Sequence, residues 1–198
     1  MKNIVFDLGG VLFARDKSKC TPELLEFFSF LRAPRMPLFW EEYDRGTSTL
    51  EEVTATISGM TGRPVETCAA VLRMAVDLQE PVKPTERLVG DLKAAGYRLY
   101  VLSNMSREFI DFLRRFPVYG LFDGEVVSCE EHTVKPEPHI YEILLERYGL
   151  TPSETLFIDD GQKNVDAAQR LGFAVYMPGP GEDFGHILDN LNRYEEIL

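Results

Sequence analysis

Cysteine is scarce in this chain, and what there is does not pair. Cys20, Cys68 and Cys129 are odd in number and widely spaced, with no CxxC. This excludes a disulfide framework and fits reduced thiols in the cytoplasm. Histidine is as rare: His132, His139 and His186 are scattered without metal-ligand spacing and read as helix-surface or loop positions. No apolar run approaches transmembrane length. The single early one is too short for a leader and is broken by Asp7, so neither a membrane nor an export signal is expected, and a cytoplasmic location is. Positive charge is also short. The 21 Lys and Arg stand against 32 Asp and Glu, a net charge of -11, which argues against nucleic acid as a partner. Most of that excess lies outside residues 14–83, so an anionic substrate bound there needs a metal ion or local cations to offset the repulsion.

What is present is core-forming material in two rhythms. At 198 residues and 44% hydrophobic composition the chain suits one domain, or one domain carrying a smaller insertion. A first strand spans Asn3 to Phe6. From about Phe13 to Lys83 the pattern is helical. Thr21-Pro22-Glu23 reads as an N-cap with proline at the first helical position, followed by Leu24, Leu25, Phe27, Phe28 and Leu31 at helical spacing. Pro34 and Pro37 punctuate, and Leu38 to Tyr43 suggests a second helix. Ser48-Thr49-Leu50-Glu51 fits a capping box for a third, running through about Ile57. Gly59, Gly62 and Pro64 mark a turn before a fourth, Val65 to Val76. Four helices with short connections suggest a small bundle.

From Pro84 onward, helices at 86–95, 107–116, 139–148 and 162–171 alternate with strands at 98–102, 125–128, 155–158 and 173–176. Gly96, Gly120, Gly149 and Gly172 stand where C-caps are expected. Alternation implies parallel strands joined by right-handed crossovers. The expected fold is therefore α/β: a three-layer, Rossmann-like parallel sheet core over 1–14 and 84–198, with a helical bundle inserted at 15–83. Pro178-Gly179-Pro180-Gly181 reads as a rigid turn before a last helix, and lacks the Gly-Lys-Ser/Thr ending of a phosphate loop.

Ligands of open parallel sheets bind beyond the carboxyl ends of the strands. Here those ends carry Asp7, Ser103-Asn104, a loop with Lys135-Pro136, and Asp159-Asp160. A carboxylate can attack phosphorus, carboxylate and carbonyl oxygens suit Mg²⁺, and hydroxyl, amide and ammonium groups suit phosphate. Each signal alone has an ordinary explanation: an Asp ends many strands, and paired acids often cap the following helix at its positive end. Their convergence on one rim describes a phosphoryl-transfer site.

Four motifs in order, Phe6-Asp7-Leu8-Gly9-Gly10-Val11, Leu102-Ser103-Asn104, Lys135-Pro136-Glu137-Pro138 and Ile158-Asp159-Asp160 with Asn164, resemble the haloacid dehalogenase-like hydrolase superfamily, with a helical cap after the first motif. The resemblance implies that Asp7 is the nucleophile, forming an aspartyl-phosphate. It implies that Asp7, the carbonyl of Gly9 and Asp160, assisted by Asp159, hold Mg²⁺. Ser103 and the backbone amide of Asn104 would grip the phosphoryl group, and Lys135 would neutralise its charge. The substrate implied is a small phosphate ester; the oligomeric state is not readable.

One position departs from the pattern. Most phosphatases of this superfamily carry a second Asp two residues after the nucleophile, as general acid and base. Here it is Gly9. Three readings follow. The first is an Mg²⁺-dependent phosphatase of a glycine-variant subgroup, similar to α-D-glucose-1-phosphate phosphatases with their Phe-Asp-Leu-Gly motif, and so a sugar phosphate as substrate. The second is a 2-haloacid dehalogenase that works without a metal, against which Asp159-Asp160 weighs, because unneutralised acids repel a carboxylate substrate. The third is a phosphate-binding regulatory protein without turnover. Around the turn Tyr43-Asp44-Arg45-Gly46, the candidates to read the leaving group are Arg45 above all, with Trp40, Tyr43 and Thr47. Gly46 would let backbone approach the substrate. The alternative is that Trp40 and Tyr43 pack the bundle. Arg15, Lys17 and Lys19 either meet the incoming anion or form a solvated loop.

Overall fold

The structure, a computed structural model, describes residues 1–32, 36–179, 182, 186, 187 and 191. Pro34, Pro180, Gly181 and the helix expected after them lie outside the described residues or only partly within them, as do the side chains of Lys17 and Leu31. In chain order the elements are β1 (Asn3–Phe6), β2 (Phe13–Arg15), α1 (Pro22–Phe27), α2 (Leu38–Asp44), α3 (Leu50–Thr61), α4 (Val65–Asp77), β3 (Gln79–Pro81), α5 (Lys83–Ala94), β4 (Arg98–Ser103), α6 (Arg107–Leu113), β5 (Gly124–Val127), α7 (Ser128–Glu131), α8 (Pro138–Tyr148), β6 (Thr155–Ile158), α9 (Gln162–Arg170) and β7 (Ala174–Tyr176).

Five strands form a parallel sheet in the order β5-β4-β1-β6-β7. β1 is central and buried on both faces, as its unbroken apolar run requires. Its side chains alternate. Ile4 and Phe6 join Leu88, Leu92, Ile110 and Leu113 of α5 and α6 on one face. Val5 joins Ile140, Tyr141, Leu144 and Ala168 of α8 and α9 on the other. Helices on both faces of a parallel sheet make the three-layer α/β fold.

The helices between β2 and β3 bury a separate cluster: Leu24, Phe27, Trp40, Tyr43, Val53, Ile57, Cys68 and Leu72, closed against Phe109 of α6. The two crossings into this segment pair as an antiparallel hairpin, Phe13–Arg15 against Gln79–Pro81. Short, weakly apolar strands of three residues give little period-two signal, and this hairpin is absent from the sequence reading.

Other differences have local causes. The capping box is one residue later than expected: Thr49 Oγ1 accepts from the Glu52 amide (3.2 Å), and Glu52 Oε2 accepts from the Thr49 amide (2.8 Å). Adjacent Ser48-Thr49 and Glu51-Glu52 satisfy the pattern in either register, and packing of Val53 and Ile57 selects one. α1 stops at Phe27, short of Leu31, and Ser29–Arg32 tightens into a 3-10 turn. α6 ends at Leu113, ahead of Pro117, and Gly120 lies in the following 3-10 turn rather than at a C-cap. The three cysteines are free, and no described helix is long and apolar enough to cross a membrane.

Candidate active site

Strand ends deliver the site. The Asp7 amide continues the ladder from β1, donating to Ile158 O at 2.9 Å, so its side chain sits where β1, β4 and β6 run out. Asp7 Oδ1 accepts from the Leu8 amide (2.7 Å) and Ser103 Oγ (2.8 Å), and lies 2.9 Å from Lys135 Nζ. Among the described residues, Oδ2 has no hydrogen-bond partner, so one oxygen of the carboxylate is held and the other is free to react. Lys135 Nζ also meets Asp159 Oδ2 at 2.6 Å. Asp159 Oδ1 in turn accepts from the Gly161 amide (2.7 Å) and Asn164 Nδ2 (3.0 Å). Asp159 is a fixed anchor for the lysine.

The electrostatics follow from burial. Asp7 is pushed up to about 6 by desolvation, with the Asp159 charge adding to the rise and Lys135 and Ser103 opposing it. Burial alone would lower the Lys135 ammonium, but Asp159 and Asp7 outweigh it and keep the group charged. Carboxylate oxygens of Asp7, Asp159 and Asp160 lie within 4.8 Å of one another. Three acids against one ammonium leave negative charge uncompensated, and the donors are hard oxygens, which suits a Mg²⁺ ion. Gly10 makes the approach possible. Its φ is +78°, and a Cβ there would overlap the Asp160 carboxylate. Sequence reasoning missed this role, although the Gly-Gly pair was its visible sign.

Asn104 does more than offer an amide. Its side chain donates to Lys135 O (2.8 Å) and accepts from the Lys135 amide (2.7 Å), tying the β4 loop to the lysine loop. Gly9 lines a cavity of about 170 Å³ with Arg15, Trp40, Asp44, Asn104 and Phe109. A second cavity, about 510 Å³, includes Asp44, Asn104, Lys135, Pro136 and Asn164. A further one of about 610 Å³ lies between α3 and α6, bordered by Tyr43, Arg107 and His132. Gly9, Asn104 and Lys135, which adjoin the rim carboxylates, border the first two cavities and not the last, so the site lies on the side of the first two.

Of the candidates on the inserted helices, Trp40 borders the Gly9 cavity, while the others are engaged elsewhere. Arg45 is clasped by Glu137 (2.6 and 2.9 Å) and Glu41 (2.9 Å), so its guanidinium binds protein carboxylates rather than standing free for substrate. The close approach at Gly46 (φ +73°) is to the Cys129 backbone, which a Cβ would overlap, and not to a ligand. Trp40 packs edge-to-face or tilted against Phe28, Phe30, Phe39 and Tyr43, and Tyr43 Oη donates to Glu108 (2.6 Å). Thr47 bonds the Glu42 carbonyl. Arg15 lies over the Phe28 ring at 4.4 Å and also borders the Gly9 cavity. Lys19 pairs with Asp16 and Glu80. His132 turns its Nδ1 to Arg45 O, and His139 lies beside Glu142.

Comparison with known proteins gives the family. The model of the haloacid dehalogenase-like hydrolases matches residues 1–172, and the chain belongs to that family. It is 29% identical over 172 residues to a sesquiterpene phosphatase of Aspergillus oryzae, covering 86% of each chain. It is 28% identical to a D-ribitol-5-phosphate phosphatase of Bacteroides thetaiotaomicron, covering 93% of this chain and 95% of the relative. Among solved structures, an enzyme of the same family from Bacteroides thetaiotaomicron in complex with magnesium and inorganic phosphate superposes with a TM-score of 0.76 at 29% identity, covering 94% and 98%.

Proposed function

We propose that this chain is a Mg²⁺-dependent phosphatase that hydrolyses small phosphate monoesters through an aspartyl-phosphate on Asp7. The observation that carries the reading is the Asp7 carboxylate itself: one oxygen is pinned by Ser103, Lys135 and the Leu8 amide, while the other is free beside two more acids. Phosphatase relatives that span the chain support it.

Asp7, the Gly9 carbonyl and Asp160 would hold the ion, with Asp159 assisting, and when bound it offsets the repulsion between these acids and the phosphate dianion. With substrate bound, Ser103 Oγ would turn its one proton from Asp7 Oδ1 to a phosphoryl oxygen, and the Asn104 amide would hold another. Lys135 Nζ neutralises charge on the equatorial oxygens as it develops. Asp7 Oδ2 attacks phosphorus, the ester P–O bond breaks, and water then cleaves the acyl-phosphate and frees phosphate. The Gly9 cavity, small at about 170 Å³, fits a small leaving group, and a sugar or polyol phosphate is the substrate class the reading favours. A metal-free dehalogenase would have to seat a carboxylate substrate against three acids and one ammonium, which electrostatics disfavours.

The test is phosphate release from a panel of sugar 1-phosphates, sugar 6-phosphates and polyol phosphates, with Mg²⁺ and with chelator, for the native chain and Asp7→Asn. Release is expected only with both Mg²⁺ and Asp7, with a loss of about 10⁴-fold or more in the variant. Turnover retained in Asp7→Asn removes the nucleophile. Binding of phosphate with no release from any ester would point to a regulatory protein.

A further inference from the structure

Gly9 leaves the reaction without the proton donor that an alkoxide leaving group needs. The space beside it is open: a Cβ built on Gly9 meets nothing nearer than the Met105 methyl at 3.9 Å. Across that space, at the end of α2, stands Asp44. It borders the cavity of Gly9 and also the cavity of Lys135 and Asn164, so it stands where the two meet, facing Gly9 and Lys135, the two residues that adjoin Asp7. Two other carboxylates border the second cavity, Glu41 and Glu137, and both are engaged by Arg45. Asp44 makes no ion pair among the described residues.

Asp44 is also held in place. Its carbonyl accepts from Ser128 Oγ, Arg45 and Gly46 behind it are locked against Glu137 and Cys129, and the Ser106 amide reaches its carboxylate. A carboxyl group that must give up a proton at neutral pH needs an environment that favours the neutral form. Burial supplies it first, and the charges of Asp7 and Glu41 add to it, so Asp44 sits well above the usual carboxylate range.

We propose that Asp44 is the catalytic acid and base that replaces the side chain missing at Gly9, an inference that rests on the phosphatase reading above. As Asp7 Oδ2 bonds to phosphorus, the ester P–O bond breaks with its electron pair on the leaving oxygen, and the Asp44 carboxyl gives its proton to that oxygen. In the second step the Asp44 carboxylate takes a proton from water as the water oxygen attacks phosphorus. The P–O bond to Asp7 breaks, and both side chains return to their starting state.

The experiment reads leaving-group dependence. In the native chain, kcat/KM across aryl and alkyl phosphates should vary weakly with leaving-group acidity, because the enzyme supplies the proton. Asp44→Asn keeps an acceptor for the Ser106 amide and should steepen that dependence. It should lose about 10²–10⁴-fold on glycerol phosphate and far less on p-nitrophenyl phosphate, from which it should release one equivalent of nitrophenolate in a burst before slow turnover. Gly9→Asp in the Asp44→Asn background should recover much of the alkyl-phosphate activity. A steep dependence already present in the native chain overturns the proposal without any variant. So does an equal loss on both esters without a burst, or no loss at all. A native chain that releases phosphate from no ester overturns the phosphatase reading instead, which keeps the two failures apart.

Discussion

Lys135 and Arg45 are both cations flanked by two carboxylates, and the surroundings give them different work. Lys135 is sealed at the end of the sheet with its side chain 1% exposed, between Asp7 and Asp159. Arg45 lies at the seam where α2 meets the loop before α8, with its own side chain 22% exposed and those of Glu41 and Glu137 above 40%. At the rim, low dielectric makes each charge depend on its partner. At the seam, water screens the same arrangement, and the ion pairs add geometry more than energy. Charge type alone does not separate a reacting group from a clasp. Burial and the presence of an uncompensated acid do.

The largest expected effect tests that contrast directly. Lys135→Met leaves Asp7 and Asp159 buried without their cation, and breaking a buried pair costs about 3–5 kcal/mol. Arg45→Met exposes its partners to water and should cost about 1 kcal/mol or less. Urea denaturation of the two variants checks the ratio. Equal costs would mean that the seam is as dry as the rim.

Two glycines extend the comparison. Gly10 and Gly46 both have positive φ, and a Cβ on either would overlap a neighbour, but the neighbours differ. At Gly46 the obstacle is the Cys129 backbone, which cannot yield without moving β5 and α7. At Gly10 it is the end of the Asp160 side chain, which can swing. Gly46→Ala should therefore lose about 2 kcal/mol or more of stability. Gly10→Ala should lose about 1–2 kcal/mol from backbone strain, and in addition the rise in Tm expected for the native chain in saturating Mg²⁺ on the proposed function, a rise worth about 2.7 kcal/mol at a hundredfold excess over Kd. Thermal melts with Mg²⁺ and with chelator separate the two.

The same contrast sets what the sequence could show. The fold was legible because each core strand is an apolar run bounded by glycine or a polar turn, and the acids stand at strand ends, where a parallel sheet gathers them. Asp7, Ser103 and Asp159 stand at strand ends in this way, while Lys135 lies past α7 and is visible only through the motif it belongs to. The seam has no such sign. Arg45 beside Gly46 reads the same whether it faces a substrate or Glu137, because its partner is 92 residues away. For Asn104 the sequence offers a backbone amide for the phosphoryl group but not the work of its side chain, since the groups that side chain bonds belong to the Lys135 backbone. Asp44 stands in the turn from which Tyr43 and Arg45 are drawn as candidates, yet only the folded chain puts it opposite Gly9.

The smallest effect is one of sign. Asp7, raised to about 6 by desolvation first and Asp159 second, binds a proton more tightly in the folded chain than in the unfolded one, where its ordinary value is 3.8. In metal-free protein it therefore removes stability as pH rises from about 4 to about 6. Glu137 is the reverse. Its hydrogen bonds from Arg45 lower it from 4.5 to about 2, so its contribution is present above about 4.5 and fades as pH falls towards 2. Asp7→Asn should reduce the upper slope, to which the raised Asp44 and Asp160 also contribute, and Arg45→Met should reduce the lower. Salt distinguishes them further, because the screening length falls from about 10 Å at 0.1 M to about 3 Å at 1 M. The Glu137 slope, carried by an exposed pair, should shrink in 1 M NaCl. The Asp7 slope, carried by burial, should persist. Chemical denaturation between pH 2 and 7 at the two salt concentrations reads both, and a salt-sensitive upper slope would show that water reaches Asp7 as freely as it reaches Glu137.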